Sequence, residues 1–316
     1  MTTPPGLAVR ALCAAADEAL TEASFRTADF AEAERLFTEA RDLATRDGDR
    51  EGEALAITGL GMTRHGRNIT QLVGGTALSE ADVAAEEELM RRALAAWQET
   101  GDPAGTARAL FGVSLVFQVL RRDWDAGMPY LWQAFGLAEA VEESGDLYGA
   151  SEIHRHLGFY YLHEDVRPKE AVRQLGHSLA LRERLGDLRR VPSALVALGQ
   201  AELAAGDPRR AAGFLYRAAE LARAADLLPW RIRDAEQTLA EAEAAVRSAG
   251  LRRSSHRHPA RSRAAPPSCT WARSPLPARS VAGRAVRFRG AQISGAGWFP
   301  APYAIASRDC ERRTAR

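Results

Sequence analysis

The sequence predicts an all-α protein, a solenoid of antiparallel helix pairs followed by a basic tail. Three observations carry that prediction. Leu/Phe-Gly pairs recur at Leu60-Gly61, Phe111-Gly112, Leu157-Gly158 and Leu198-Gly199, with glycine-to-glycine steps of 51, 46 and 41 residues. Gly-Asp pairs keep time with them at Gly48-Asp49, Gly101-Asp102, Gly145-Asp146 and Gly186-Asp187. Repetition on this scale marks stacked supersecondary units rather than one mixed core. The chain is also rich in alanine and poor in β-branched runs, which favours helix over strand.

Taken in order, residues 7–47 read as a helix pair, Leu7 to Arg26 and Phe30 to Arg46, split by Thr27-Ala28-Asp29. In the second helix Phe30, Ala33, Leu36, Phe37, Ala40 and Leu43 form one apolar stripe at three/four spacing. Gly48-Asp49 then supplies a C-terminal glycine and an N-capping aspartate. The second unit starts at Arg50, carries Ala54, Ile57, Leu60 and Gly61, and is expected to fray after Gly66 into an inserted loop over 67–80, with its second helix over 79–99. Further pairs follow at 103–121 with 124–143, 147–164 with 168–185, and 190–205 with 208–225. Pro103, Pro168 and Pro208 sit where a first-turn proline is favoured. A last helix over 229–248 reads as a cap with one solvated face.

Composition changes at Leu251. Beyond it lie fourteen arginines against Asp309 and Glu311, a net charge of +12, which leaves 28 basic and 39 acidic residues, net −11, in 1–250. The overall charge of +1 therefore averages an acidic body and a basic tail. The segment 250–316 is rich in Arg, Pro and Ser and lacks periodicity, so it is expected to be disordered. Three readings of it stand open: a basic arm for nucleic acid or an acidic partner, coding sequence read out of frame, or a plain extension. The start lacks a basic segment followed by an apolar one, and no run of eighteen apolar residues occurs, so a cytoplasmic protein without a membrane span is expected. Cys13, Cys269 and Cys310 have neither disulfide-framework nor zinc-site spacing.

The register resembles tetratricopeptide repeats, most clearly where Leu198-Gly199 is followed by Gly206-Asp207, Ala211, Leu215 and Ala218. Ala33, Phe37 and Ala40 repeat the small-large-small pattern, and Leu157-Gly158, Tyr161, Ala171, Leu175 and Ala180 match it with one extra residue in the turn. The long steps resemble the longer-helix variant of bacterial regulators and kinesin light chains. Arg64, Leu115 and Glu202 depart from the family, which often has an aromatic there. The resemblance, over 7–249, implies a right-handed solenoid whose first helices line a concave face that binds peptides or protein segments. It implies groove positions at Thr58, Met62 and His65 in unit two, Val113 and Phe117 in unit three, Arg155, Phe159 and His163 in unit four, and Gln200 in unit five. The Lys/Asn set with which chaperone-binding relatives clamp a terminal carboxylate is missing, so an amphipathic helix or an extended apolar peptide is the expected guest.

Little covalent chemistry is legible. The one lysine, Lys169, lies outside any phosphate-binding loop. Gly112-Val113-Ser114-Leu115-Val116 fails as a nucleophile elbow, and His163-Glu164 lacks the second histidine of a zinc motif. His154, His156, His163 and His177 cluster in unit four and read as groove or surface side chains, with a metal or pH-sensing role as the alternative. Glu86, Glu87 and Glu88 read as a solvated face, and Trp97, Trp124, Trp132 and Trp230 as packing. The expectation is a non-enzymatic binder of a protein or peptide without cofactor or metal, serving as a scaffold in regulation or complex assembly. The alternatives are a peptide or small-ligand sensor of a transcriptional regulator, and a nucleic-acid-associated protein acting through the tail. Oligomeric state stays open.

Overall fold

The computed structural model describes residues 5–255. The remainder of the expected tail lies outside them. All regular structure among the described residues is helical: α1 (Pro5–Glu22), α2 (Ala31–Asp47), α3 (Arg50–Val73), α4 (Glu80–Thr100), α5 (Pro103–Leu115), α6 (Trp124–Gly136), α7 (Ala138–Glu143), α8 (Leu147–His163), α9 (Pro168–Leu185), α10 (Val191–Ala204), α11 (Pro208–Ala224) and α12 (Pro229–Ser255). Successive helices pack on one another, and α1, α3 and α5 also touch in turn, as do α8, α10 and α12. This is the predicted all-α array of sequential antiparallel pairs.

The Gly-Asp pairs do what capping chemistry requires. Gly48, Gly101 and Gly186 hold φ of 71°, 74° and 77° as C-caps of α2, α4 and α9, a conformation cheap only for glycine. Asp49, Asp102 and Asp146 then accept the backbone N–H of Gly52, Gly105 and Gly149 at the starts of α3, α5 and α8. Asp187 departs from the pattern: it accepts from the Arg189 N–H in a turn before α10.

The Leu/Phe-Gly pairs mark close helix contacts. A Cβ on Gly158 would lie 2.5 Å from Leu175 Cγ, and one on Gly199 2.5 Å from Leu215 Cγ. Each second helix sends one large side chain from a buried small-large-small triplet spaced i, i+4, i+7. The triplets are Ala33, Phe37, Ala40 in α2; Gly127, Leu131, Ala134 in α6; Ala171, Leu175, Ser178 in α9; and Ala211, Leu215, Ala218 in α11. Ser178, not the expected Ala180, fills the last small position of α9, since Ser178 is buried and Ala180 exposed. In α4 the triplet is Glu86, Met90, Ala93, and a glutamate takes a small position.

Three further expectations need correction. α3 does not fray at Gly66 but continues to Val73, because Asn68 and Ile69 are buried and hold that turn against its neighbours. The expected 124–143 helix is two helices, α6 and α7, parted where Gly136, a weak helix former, precedes Leu137 at φ −110°. α12 runs to Ser255, past the expected boundary. Ala23–Thr27 and Val116–Arg121 continue α1 and α5 as π-helical turns, ending at Ala28 and Arg122 with φ of 59° and 55°. The stretch Pro103–Arg121 is apolar and long enough to cross a membrane by length and composition alone, but 72% of it is buried among its neighbours.

The largest departure is long-range. The resemblance implies repeats that touch mainly their neighbours around an open trough, yet the first unit meets the last two. Phe25, Ala222 and Leu227 form one apolar cluster. The Leu228 N–H donates to the Phe25 carbonyl at 2.8 Å, and Arg231 donates to the Ser24 carbonyl at 2.9 and 3.1 Å. Arg189 donates to Glu18 at 2.7 Å and to Glu22 at 3.3 Å, while Arg190 reaches Thr21. The π-turn explains the reach, because its wider i→i−5 bonding, from the Ala28 N–H to the Ala23 carbonyl, leaves the Ser24 and Phe25 carbonyls for the cap helix. The solenoid is thus closed on itself.

Candidate functional site

Closure turns the concave face into a chamber of about 540 Å³, within the range of small-ligand sites. Five arginines line it: Arg108 of α5, Arg155 of α8, Arg182 of α9, Arg190 before α10 and Arg231 of α12. Asp17, Asp146 and Glu152 supply the carboxylates, and Tyr148, Phe111 and Trp230 the aromatic surface.

The arginines are unevenly served. Arg182 is fully buried and satisfied by Glu152, by Ser151 Oγ at 3.1 Å, by the Arg190 carbonyl at 2.7 Å and by Ser193 Oγ at 2.6 Å. Burial alone would raise the Glu152 carboxyl, but Arg182 and Arg155 outweigh it and hold Glu152 below the ordinary carboxylate range. Arg155 lies 3.8 Å from Glu152, with its guanidinium over the Phe159 ring. Burial pushes Arg155 down to about 9 and Arg231 down to about 10. Arg231 donates to a carbonyl rather than a carboxylate and lies over the Phe25 and Trp230 rings. Arg108 reaches Asp146 at 3.4 Å, and its Nε has no hydrogen-bond partner. Arg190 pairs with Asp187 at 3.1 Å and stacks on Tyr148 at 3.7 Å. Asp17, pushed up to about 6 by burial and by Asp146, is still mostly ionised near neutrality. Among the lining side chains five guanidiniums thus meet three carboxylates, with Asp187 just outside serving Arg190.

Two further polar atoms sit there without a partner. Trp230 Nε1 is buried and donates to nothing. His65 is 4% exposed and lines the chamber; its Nδ1 lies 2.7 Å from Glu86 Oε1, and its Nε2 is unpartnered. Asn68 donates to the other Glu86 oxygen at 2.8 Å. Glu86 is fully buried, correcting its assignment to a solvated face: the side chain at the small position of the α4 triplet is paired by two residues of α3.

The expected groove residues divide. Thr58, Met62 and His65 line the chamber, as does Arg155. Val113 and Phe117 do not; they pack beside Val83 and Met90 of α4, and Phe117 stacks on Tyr130 at 5.9 Å. Phe159 is core, His163 stacks beside it at 6.1 Å on the exposed end of α8, and Gln200 of α10 lies outside the lining. The resemblance rule holds in unit two and for Arg155 in unit four, whereas in unit three Arg108, Phe111 and Leu115, ahead of the π-turn, face inward instead. Sequence reasoning missed Arg108, Arg182, Arg190 and Arg231, because their convergence depends on closure and they come from first, second and cap helices alike.

Of the clustered histidines, His156 is buried against Phe111, with Nδ1 3.0 Å from Gln118 Oε1, and burial pushes it down to about 3. It stays neutral as a core residue. His154 and His177 face one another outside the chamber, with ring centroids 4.1 Å apart. Cys13, buried in α1 and pushed up to about 12 by burial and then by Asp17 and Asp49, is an unreactive thiol.

No protein-family model matches the chain, and no curated protein matches it. Among solved structures it is similar to BtubC (BKLC) from P. vanneervenii, with 17% identity, 71% of this chain and 93% of that chain covered, and a TM-score of 0.43. A likeness this slight has no bearing on function.

Proposed function

We propose that the chain is a binding module of helical-repeat type that takes a short acidic ligand, the carboxylate end of a peptide or a small carboxylate or phosphate, into its closed inner face. It performs no covalent chemistry. The supporting observation is the convergence of Arg108, Arg155, Arg182, Arg190 and Arg231 on one chamber lined by three carboxylates, Asp17, Asp146 and Glu152. Guanidinium forks suit carboxylate and phosphate in a partly dry site, and Trp230 Nε1 adds a donor with nothing to bond. The reading fits a sensor, in which a guest entering the chamber changes the contact between first and last units.

The test is calorimetric titration of the full chain with short peptides ending in acidic residues, the same peptides amidated, and inorganic phosphate. Binding of one arm, weakened by roughly a factor of ten or more in Arg108→Met and Arg155→Met, supports the reading. Equal binding by the variants, or by amidated and free peptides with no response to phosphate, removes it.

The broader scaffold reading, with a protein segment along the inner face, gains from one feature. The ring is shut by a three-residue apolar cluster and a few arginine contacts, so opening it costs little core. A contact between the basic tail and nucleic acid remains a proposal from composition alone.

A further inference from the structure

A second cleft, sharing no lining residue with the chamber, lies on the other side of α8 between α7, α8 and α9. Glu142, His154 and His177 meet there, and one ligand atom from each falls within 4.8 Å of the other two. We infer that these three side chains form a transition-metal site of the zinc class that clasps three successive helices.

The chemistry of the donors selects the metal. Two imidazoles and one carboxylate are a common zinc set, with bonds of about 2.0–2.2 Å. Tetrahedral ligands at that range lie about 3.4 Å apart, so the observed grouping needs only small side-chain rotations to close. Imidazole donors disfavour calcium and magnesium, which take oxygen ligands.

The surroundings resemble the support given to metal ligands. His154 Nδ1 lies 2.7 Å from Gln174 Oε1. An amide oxygen only accepts, so Nδ1 carries the proton and Nε2 keeps its lone pair. Phe135 packs edge-on against the ring at 5.4 Å and fixes its plane. His177 Nε2 already points at Glu142 Oε1, 3.1 Å away. There the ion would replace the bridging proton, which is released to solvent. Arg184 also reaches Glu142, at 3.3 Å, but its side chain is 60% exposed, and such a surface pair yields at small cost. Glu139 and Glu143 border the same cleft and leave room for a fourth donor or a water.

The site also has a structural task. α7 is a six-residue helix set off from α6 at Leu137, and an ion at Glu142 would tie it to the longer α8 and α9.

The experiment titrates the chelator-treated full chain with Zn²⁺ by calorimetry and with Co²⁺ by visible absorption, with Mg²⁺ as control. One saturable Zn²⁺ per chain is expected, with a Co²⁺ spectrum of a low-symmetry four-coordinate site and no Mg²⁺ response. Binding should be lost in His154→Ala and His177→Ala and strongly weakened in Glu142→Gln. Gln174→Ala, at a positioning residue, should weaken it roughly ten- to hundredfold, and Gln174→Glu should restore it. Zn²⁺ should raise the melting temperature of the parent chain but not of the His154→Ala/His177→Ala double variant, whose unchanged helical circular dichroism shows that it folds. Zn²⁺ binding that survives in the double variant, as histidines and cysteines elsewhere in the chain would give, overturns the assignment. So does the absence of Zn²⁺ and Co²⁺ binding in the parent.

Discussion

Single side chains here do work that their types alone would not announce. Glu86 sits where four other second helices carry alanine or glycine, and it is tolerated because His65 and Asn68 reach it from α3. A buried carboxylate without such partners would be costly. Asp234, bordering a small cavity with Arg155 and Arg231, shows the cost directly. Burial pushes its carboxyl up from 3.8 to about 7, with the two guanidiniums pulling the other way. The folded chain thus keeps a proton there that the unfolded chain gives up near its ordinary value. Stability from this group is present at low pH and is lost as pH rises through the window from 3.8 to about 7. Asp234→Asn should flatten that slope, so that at about pH 8 the variant is the more stable by an amount on the order of 1 kcal/mol or more. Urea denaturation at about pH 5 and about pH 8 checks the sign.

At the scale of the helix, the recurring glycines act through the space they leave. Gly199 in α10 admits Leu215 of α11, and an added Cβ would lie 2.5 Å from Leu215 Cγ. Gly213, in α11 itself, has nothing within 4 Å of the same added atom. The two glycines therefore separate packing from propensity. Gly213→Ala should stabilise by up to about 1 kcal/mol, the propensity gain for an open helical position. Gly199→Ala should destabilise by roughly 1–3 kcal/mol despite the same gain, because the helices must part. Denaturation midpoints of the two variants should move in opposite directions. The π-turns belong to this scale too. Ala23–Thr27 turns carbonyls toward α12, and Val116–Arg121 carries α5 on to Arg122 at φ 55°. A residue-by-residue helical count cannot foresee either.

Over the whole molecule the decisive event is the meeting of α1 with α10 to α12. Its contacts are polar and few: Arg189 with Glu18 and Glu22, Arg190 with Thr21, and Arg231 with the Ser24 carbonyl, around Phe25, Ala222 and Leu227. The large continuous core runs from Ile69 to Ala242, while α1, α2 and the start of α3 share a separate one. Opening the ring would leave both cores intact. An Arg189→Ala/Arg231→Ala double variant should keep its helix content yet show a larger radius of gyration by small-angle X-ray scattering. An unchanged radius would mean that packing alone holds the ring shut.

Local rules read from the chain settled the helices, their caps and their pairing. Asp at an N-cap, Gly in a left-handed C-cap and Leu opposite Gly are each decided within a few residues or one hairpin, and Gly48-Asp49 or Gly158 with Leu175 needs no distant partner. Thr58, Met62, His65 and Arg155 were legible as inward-facing through the resemblance, which counts from the Leu-Gly pair of the same helix. Tertiary structure alone decided that the trough is a chamber, that arginines from five elements share it, and that Glu142, His154 and His177 stand together. Those outcomes depend on small rotations and shifts of register accumulated over five repeats, which bring residues some 170 to 200 positions apart into contact and leave no trace in any local window.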